Sequence, residues 1–423
     1  MKKRKVIIVG GGLAGLSAAY ELSEEESFDI HLIEKDNCLG GRVRSCTING
    51  QMIDVGGFIV YPWYKRYHEL IKALGLTEEL IKIPPARDYY AGHVQSHDNY
   101  DEEINFSFKD IVKIFIHIFP NQFIDSDPTE PELDAYDELT VQDYLKSLNM
   151  EAEKTNYYLR FFDTYLQGYC YGPVTEYKMA FLAAILFQNI YHGDVHAASY
   201  LRNGSKVFID AMKDKLENRG VQIHYNCMLE EIYNKQIITS LGEMVADYFI
   251  FCHTPSEVRY SKFITATVSY SGTAVVEGDS EWGSCFYKED TQQLFPILSI
   301  VNLEKLYTEK TFQYLNLNIK VRDLKPTAIS SPDLLEIIKT EMQAHFKDVT
   351  ISELVNRVDW EKAMPIAGED FVKSTRSKQG LNNFYYAGDF MGCPSMETAL
   401  INGKRAADKL MKDKDAANDL RKR

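Results

Sequence analysis

The N-terminal region alternates short apolar runs with glycines and polar breaks. Residues 6–9 form a β-branched run, typical of a strand buried on both faces of a parallel sheet. Residues 16–22 contain small side chains that allow a helix to pack closely on a sheet, and residues 28–33 form a second apolar run. The pattern predicts a strand, a turn, a helix and a second strand, which together open an α/β fold with a parallel sheet.

The turn after the first predicted strand matches G-x-G-x-x-G, with glycines at Gly10, Gly12 and Gly15. Gly10 permits a tight turn, Gly12 lets the backbone approach a pyrophosphate, and Gly15 lets helix and strand close together. Phosphate then lies on the helix N-terminus, where Leu13 and Ala14 offer backbone N–H groups. The turn therefore predicts a dinucleotide site.

Glu34 follows the second apolar run and supports the same prediction. A carboxylate at this position accepts hydrogen bonds from ribose hydroxyls and favours a ribose without a phosphate group. Lys35, the next residue, belongs to the predicted cofactor-binding set. A nucleotide-free βαβ unit is the alternative, and the common register of strand, helix and terminal acid argues against it.

The segment 40–42 distinguishes a flavin from a nicotinamide cofactor. Together with the glycine turn and Glu34, it resembles the flavin-dependent amine oxidase, protoporphyrinogen oxidase and phytoene desaturase superfamily. The resemblance implies FAD, with Gly41 and Arg42 near its pyrophosphate. Other relatives attach FAD through a cysteine, but Cys393 is not in their Ser-Gly-Gly-Cys setting, so we expect non-covalent binding.

Three later segments extend the resemblance. It implies that Gly57 and Phe58 pass close to the isoalloxazine ring, although an ordinary Gly-Gly turn is the alternative. Met228 would contact adenine through its backbone. An aromatic strand ends in Ala-Gly-Asp, and Asp389 would bind the ribityl and pyrophosphate region. The helix that opens near Met396 would direct its positive N-terminal end at the flavin pyrimidine.

One position departs from the superfamily. Relatives usually have Glu-Gly-Ala at the start of this last helix, whereas this chain has Glu397, Thr398 and Ala399. A β-branched residue in place of glycine would alter the close contact with the flavin ring.

These segments predict an α/β (α+β) fold in which a Rossmann-type FAD-binding domain contains an inserted, discontinuous substrate-binding domain. The FAD-binding domain is assigned to residues 1–65, 195–255 and 375–412. The substrate-binding domain takes residues 66–194 and 256–374, and residues 413–423 form a frayed tail.

The first inserted segment is unusually aromatic. Its rings line an apolar substrate pocket in one interpretation and form ordinary helix core in the other. An apolar run with basic residues, 108–119, fits core packing best, with an interfacial membrane helix as the alternative. The aromatic set consists of Phe162, Tyr165, Tyr169, Tyr171, Tyr177, Phe181 and Phe187.

Composition narrows the class of protein. The 423 residues are 45% hydrophobic and 26% charged, which is typical of a soluble globular protein. A net charge of −14 argues against nucleic-acid binding, because phosphate contacts need clustered Lys and Arg. The seven cysteines lack CxxC spacing and the histidines lack ligand spacing, so we expect no disulfide framework and no metal. A cytoplasmic protein with at most peripheral membrane contact is predicted.

Three functions fit a flavin site of this kind, and the sequence favours them in the order given. The first is dehydrogenation or oxidation of a bulky polyene, isoprenoid or tetrapyrrole by hydride transfer to flavin N5. The second is oxidation of an amine to an imine with production of hydrogen peroxide, for which Phe384, Tyr385 and Tyr386 would supply an aromatic cage. The third is a redox-neutral, isomerase-like reaction. Because flavin enzymes need few protein catalysts, no catalytic residue is assigned.

Overall fold

The structure is a computed structural model that describes most of the chain. The described residues are 3–83, 87–91, 138–170, 172–179, 182, 198–272, 282–287, 294–307, 313–345, 348–366, 378–392 and 394–422.

The helices and strands are numbered in chain order. The helices are α1 (Leu13–Leu22), α2 (Lys65–Ala73), α3 (Val141–Ser147), α4 (Ala152–Cys170), α5 (Lys206–Asn218), α6 (Leu303–Leu306), α7 (Ser331–His345) and α8 (Met396–Lys422). The strands are β1 (Arg4–Val9), β2 (Phe28–Ile33), β3 (Ser45–Ile48), β4 (Gln51–Asp54), β5 (Leu80–Lys82), β6 (Arg87–Ala91), β7 (Ser199–Leu201), β8 (Gln222–His224), β9 (Leu229–Tyr233), β10 (Gln236–Thr239), β11 (Gly242–Val245), β12 (Tyr248–Phe251), β13 (Arg259–Tyr260), β14 (Phe263–Gly272), β15 (Trp282–Tyr287), β16 (Ile297–Asn302), β17 (Tyr314–Lys320), β18 (Val349–Trp360), β19 (Pro365–Ile366) and β20 (Phe384–Tyr386).

A five-stranded parallel sheet gathers strands from both ends of the chain. Its order is β20-β12-β1-β2-β8, with β1 buried at the centre. On one side α1 packs against α8, and a Cβ atom added at Gly403 would collide with the carbonyl oxygen of Ala14. The hydroxyl of Ser17 donates to the carbonyl of Leu400 at 2.7 Å. The C-terminal helix is thus held against the first helix of the chain.

The second large sheet has six strands in the order β18-β14-β17-β16-β15-β6. Its strands pair antiparallel except for β15 and β6, which run parallel. One face of β14 carries Ile264, Ala266 and Val268, which share a core with Leu334 and Ile338 of α7. This face is therefore closed by a helix.

The opposite face of β14 carries hydroxyl groups. Thr267 donates to Asn316 Oδ1 at 2.7 Å, and Asn316 Nδ2 donates to the carbonyl oxygen of Asp54 at 3.1 Å. Since Asp54 ends β4, this polar face lies against the segment that follows the glycine turn and precedes Gly57. We call it the Asp54-facing side of the six-stranded sheet.

The α/β class and the parallel sheet predicted from sequence are confirmed. All five strands of the parallel sheet lie in the segments assigned to the cofactor domain, and the six-stranded sheet uses only strands from the inserted segments. The domain boundaries themselves stay a prediction. Within the described part of the chain, no helix has the length and hydropathy to cross a membrane.

The frayed tail predicted for 413–423 is wrong, because α8 continues to Lys422. Side chains explain the continuation. The Lys414 ammonium lies 4.8 Å from the centre of the Phe28 ring and donates to Ser27 Oγ at 3.2 Å, while Asp413 accepts from the Tyr385 hydroxyl at 3.0 Å.

The aromatic set and the apolar run are described only in part. Phe162 and Tyr177 are fully buried, which supports the helix-core interpretation for these two rings. The side chains of the other members and the whole of 108–119 lie outside the described residues.

Candidate cofactor site

The glycine turn joins β1 to α1 at the carboxyl edge of the parallel sheet. Gly10 has φ +108°, a conformation that favours glycine, and a Cβ atom added at Gly15 would collide with the Gly10 carbonyl. At Gly12, by contrast, no described atom lies within 4 Å of an added Cβ. The turn is closely packed at Gly15 and has free space at Gly12, so a ligand can approach the backbone at Gly12.

The N-terminus of α1 is available to an anion. Gly12 occupies the N-cap position, and among the described residues no side chain caps this helix. The first N–H groups of a helix have no partner within it, so those of Leu13, Ala14 and Gly15 need one from elsewhere. Phosphate oxygens are suitable acceptors there, and the helix dipole adds to the attraction.

Glu34 lies beside the turn with its carboxylate buried. One oxygen accepts from the Gly11 N–H at 2.7 Å and the other from the Asp36 N–H at 2.9 Å. These bonds hold the carboxylate at the end of β2, where the ribose contact is predicted. Lys35 points to solvent, with its ammonium 3.4 Å from the Asp36 carboxylate.

Arg42 and Asp389 form a bidentate ion pair between distant parts of the chain. Arg42 Nη1 donates to Asp389 Oδ2 at 2.8 Å and Nη2 donates to Oδ1 at 2.5 Å, while Nη1 also donates to the carbonyl of Ala363 at 2.7 Å. Burial lowers the pKa of Arg42, but the charge and hydrogen bonds of Asp389 outweigh it and raise the pKa overall. The Arg42 guanidinium is therefore charged at any physiological pH.

The other predicted contacts converge on the same edge. A Cβ atom added at Gly41 would lie 3.4 Å from Gly12 Cα, and one added at Gly57 would lie 3.6 Å from Met396 Cγ. The Phe58 ring centre is 6.5 Å from that of Tyr307. The structure thus brings the glycine turn, the 40–42 segment, Gly57 and the start of α8 together.

Asp54 is a buried group whose role the sequence did not indicate. It accepts from Ser45 Oγ at 2.6 Å, from the Ser205 N–H at 2.8 Å and from the Tyr307 hydroxyl at 3.1 Å. Burial raises the pKa of Asp54 although these bonds oppose the rise. The carboxylate joins β4 to the start of α5 and to the end of α6. An acidic residue two positions before a Gly-Gly pair is the only sequence signal for it.

The start of α8 explains the departure at Thr398. Ser395 Oγ accepts from the Thr398 N–H and donates to Thr398 Oγ1, both at 3.0 Å, so threonine strengthens the N-cap. Glu397 accepts from the N–H groups of Arg66 and Tyr67 at 2.7 and 2.9 Å and thereby caps α2. Burial raises the pKa of Glu397 to about 7.

Both backbone polar atoms of Met228 bond to Ser240. Its N–H donates to Ser240 Oγ at 3.0 Å and its carbonyl accepts from the Ser240 N–H at 2.9 Å. A contact with adenine would therefore fall to the second lone pair of the carbonyl or to the side chain, which is 50% exposed. The adenine contact stays a prediction.

The predicted aromatic cage is wrong for Phe384, Tyr385 and Tyr386, which form the edge strand of the parallel sheet. Phe384 packs edge-on against Phe251 at 5.4 Å, Tyr386 stacks on the same ring, and Tyr385 is fully buried. Their alternation along β20 places them in the core of the sheet. Cys393, which bears on the mode of attachment, lies outside the described residues.

Two side chains near the ion pair escaped the sequence analysis. The Tyr260 hydroxyl is buried without a hydrogen-bond partner in the described structure, and the charges of Asp389 and Arg42 act on its pKa. His253 Nδ1 is likewise buried and unpartnered among the residues described, and burial lowers the pKa of this imidazole. Neither residue lies in a recognisable motif. Their position just after β12, at the carboxyl edge of the sheet, is the only signal.

Comparisons with known proteins agree with this geometry. Residues 13–250, more than half of the chain, match the family described as flavin containing amine oxidoreductase. Prenylcysteine oxidase 1 of Pongo abelii is 36% identical over 75 residues, covering 17% of this chain and 15% of that protein. The 4,4'-diaponeurosporene oxygenase of Staphylococcus haemolyticus is 42% identical over 60 residues, covering 14% and 12%. The match thus spans less than a sixth of either relative.

A solved structure extends the likeness over the whole fold. The CLA-producing fatty acid isomerase from P. acnes superposes with a TM-score of 0.73, covering 97% of this chain and 99% of that one. Only 13% of the residues are identical, so this likeness concerns the fold alone.

Proposed function

Because the chain belongs to the flavin containing amine oxidoreductase family, we propose that it is an FAD-dependent oxidoreductase that acts on a bulky hydrophobic substrate. The substrate class comprises polyenes, isoprenoids and tetrapyrroles. The observation that carries the proposal is the carboxyl edge of the parallel sheet. There the uncapped N-terminus of α1, the buried Glu34 carboxylate and the Arg42–Asp389 pair surround the open space at Gly12.

Each part of this edge fits one part of FAD. The N–H groups at the start of α1 and the Arg42 guanidinium would hold the diphosphate, and Glu34 would hold the adenosine ribose. Asp389 would accept from ribityl hydroxyls. The flavin end would lie near Gly57 and Met396, where the N-terminus of α8 favours negative charge on the pyrimidine. Binding is non-covalent in this proposal.

Bound in this way, FAD would supply the two-electron acceptor for a hydride leaving a substrate carbon. The chain supplies orientation. Ser395 and Thr398 fix the start of α8, and Asp54 ties β4, and with it the Gly57 segment, to α5 and α6. These groups hold the flavin-facing backbone in place without taking part in bond changes.

The substrate class rests on the Asp54-facing side of the six-stranded sheet. The side chains of Thr265, Asn318 and Ser299 on this side are neutral and bond to one another, from Thr265 to Asn318 at 3.1 Å and from Asn318 to Ser299 at 2.9 Å. Such a surface offers a substrate no uncompensated charge, which favours an uncharged molecule. The names of the two relatives, a prenylcysteine oxidase and a diaponeurosporene oxygenase, support the same class.

Two other functions each have one observation in their favour. The family description supports amine oxidation to an imine with hydrogen peroxide, although the cage predicted for it does not form from β20. A redox-neutral reaction is kept as a candidate because the protein with the same overall fold is described as a fatty acid isomerase.

Anaerobic reduction separates the three. The flavin-loaded protein is mixed without oxygen with a polyene, a tetrapyrrole or an amine, and the visible absorption of oxidised flavin is followed. We expect bleaching by a polyene or tetrapyrrole. Bleaching by the amine alone would replace the proposal with amine oxidation. Conversion of a polyene to an isomer without net bleaching would replace it with the redox-neutral reaction.

A further inference from the structure

Tyr260 is held rigidly by a two-stranded clip. β13 pairs antiparallel with β19, and Tyr260 lies opposite Pro365. Beyond this pair the Ser261 N–H donates to the Met364 carbonyl at 2.8 Å, and the Ala363 N–H donates to the Ser261 carbonyl at 2.9 Å. The backbone that carries the tyrosine therefore has little freedom to move.

The clip is fastened to the candidate cofactor site. Arg42 donates to the carbonyl of Ala363, within the clip, and the same guanidinium holds Asp389. The Lys362 ammonium lies 5.7 Å from the centre of the Tyr260 ring and 3.3 Å from the carbonyl of Thr254. Hydrogen bonds thus link Arg42 to Asp389 and to the clip. Tyr260 belongs to this clip, and its hydroxyl has no hydrogen-bond partner in the described structure.

The unused atom is a hydrogen-bond donor. The Tyr260 hydroxyl is buried and has no partner in the described part of the structure, and a buried unpaired hydroxyl is costly. Burial first, and the charge of Asp389 next, raise the pKa of Tyr260, so the hydroxyl keeps its proton. His253 Nδ1, seven residues before Tyr260, is a second buried atom without a partner among the described residues. A polar group from outside the chain would supply the partner that the Tyr260 hydroxyl lacks.

We propose that Tyr260 is a cofactor-positioning residue whose hydroxyl donates a hydrogen bond to an oxygen atom in the diphosphate–ribityl part of the bound flavin dinucleotide. The inference rests on the proposed function, because it requires FAD beside the Arg42–Asp389 pair. It adds a contact from β13 to the contacts proposed for the glycine turn. The cofactor would thus be held by both parts of the chain.

The test compares two tyrosines with the same defect in different places. Tyr67 also has a buried hydroxyl without a partner in the described structure, but its ring stacks on Phe208 at 4.5 Å, and burial and the charge of Asp54 are what raise its pKa. The variants Tyr260→Phe and Tyr67→Phe each remove one such hydroxyl. FAD affinity is measured by titration of the FAD-free protein, and the melting temperature is measured on the same FAD-free sample.

We expect Tyr260→Phe to raise the Kd for FAD by about threefold to thirtyfold, with a melting temperature equal to or above that of the wild type. FAD affinity falls while the melting temperature of the FAD-free protein does not, because the hydroxyl is unpaired without FAD and paired when FAD is bound. Tyr67→Phe should leave the Kd within about twofold of the wild type.

Three results would overturn the inference. They are an unchanged Kd in Tyr260→Phe, equal weakening in both variants, and a fall in the melting temperature of FAD-free Tyr260→Phe that parallels the loss of affinity. The last would assign Tyr260 a merely structural role. A wild-type protein that binds no FAD would instead overturn the proposed function, before any variant is compared.

Discussion

The carboxyl edge of the parallel sheet and the Asp54-facing side of the six-stranded sheet both contain buried polar groups, but of different kinds. At the edge the groups are charged, namely Glu34 and the Arg42–Asp389 pair. On the six-stranded sheet they are neutral, as in Thr267 and Asn316, which bond to each other across the strands. Asn356 Nδ2, opposite Thr267, is the exception that has no partner among the described residues.

The difference concerns what each region still lacks. Cross-strand register pairs Thr267 with Asn316 and Thr265 with Asn318, so these four neutral side chains find partners within the chain. At the edge, the first N–H groups of α1 lie beside open space at Gly12 without a partner in the described structure, and the Tyr260 hydroxyl is also unpaired there. A region with unused hydrogen-bond donors suits an anionic ligand, whereas a face of neutral, paired groups offers such a ligand little.

Removing the arginine should have the largest effect. Arg42→Met leaves the buried Asp389 carboxylate without its partner, which we expect to lower the free energy of unfolding by about 3 kcal/mol and to abolish FAD binding. The double variant Arg42→Met/Asp389→Asn is the control. It should recover most of the stability, measured by urea unfolding, and none of the FAD affinity. Recovery of both would show that the pair serves the fold alone.

Gly12→Val should separate binding from folding. Its side chain would fill the open space at the turn, so we expect the Kd for FAD to rise by about a hundredfold or more while FAD-free stability changes little. Gly15→Ala is the matched variant, since its methyl group would collide with the Gly10 carbonyl and destabilise the fold. Titration and thermal melting of both variants measure the contrast, and similar melting temperatures for the two would contradict it.

The raised pKa of Glu397 predicts that the free energy of unfolding depends on pH. Its folded pKa, raised from 4.5 to about 7 by burial, means that the native state keeps a proton that the unfolded chain loses between these values. Stability should therefore fall as pH rises through this window, by at most about 3 kcal/mol. Urea unfolding of wild type and Glu397→Gln between pH 4 and about 8 measures this loss. The same slope in both proteins would refute the assignment.

The smallest effect is expected on the six-stranded sheet. Thr267→Val removes the bond to Asn316 Oδ1 and should lower the free energy of unfolding by about 1 kcal/mol. Because Thr267 and Asn316 are uncharged and bond to each other, the Kd for FAD should stay within about twofold of the wild type, as measured by titration. A large loss of FAD affinity in this variant would erase the distinction between the two regions.

Local sequence patterns predicted the secondary structure at the carboxyl edge well, because these elements depend on residues that are close together in the chain. The strand, glycine turn, helix and terminal acid from β1 to Glu34 lie within a short stretch, and backbone sterics determine the turn. The Arg42–Asp389 pair joins residues far apart, so neither residue alone indicates the other. A family resemblance placed both near FAD without predicting that they bond to each other.

Non-local packing also explains the errors. Lys414, in the helix beyond Lys412, contacts Phe28 at the other end of the chain, and a mixed-charge sequence alone does not indicate that contact. The rings of Phe384 and Tyr386 resembled a cage by composition, and only the sheet order shows that they pack on Phe251. Tyr260 has no motif at all, because its significance comes from the clip and the ion pair together.

The most direct test of the central claim is the flavin content of the purified protein. The protein is denatured in acid, the released small molecules are identified by mass, and the FAD-free chain is then titrated with FAD. The account predicts about one intact FAD per chain, released without proteolysis and rebound after refolding. A colourless protein that releases no flavin and does not bind added FAD would contradict it.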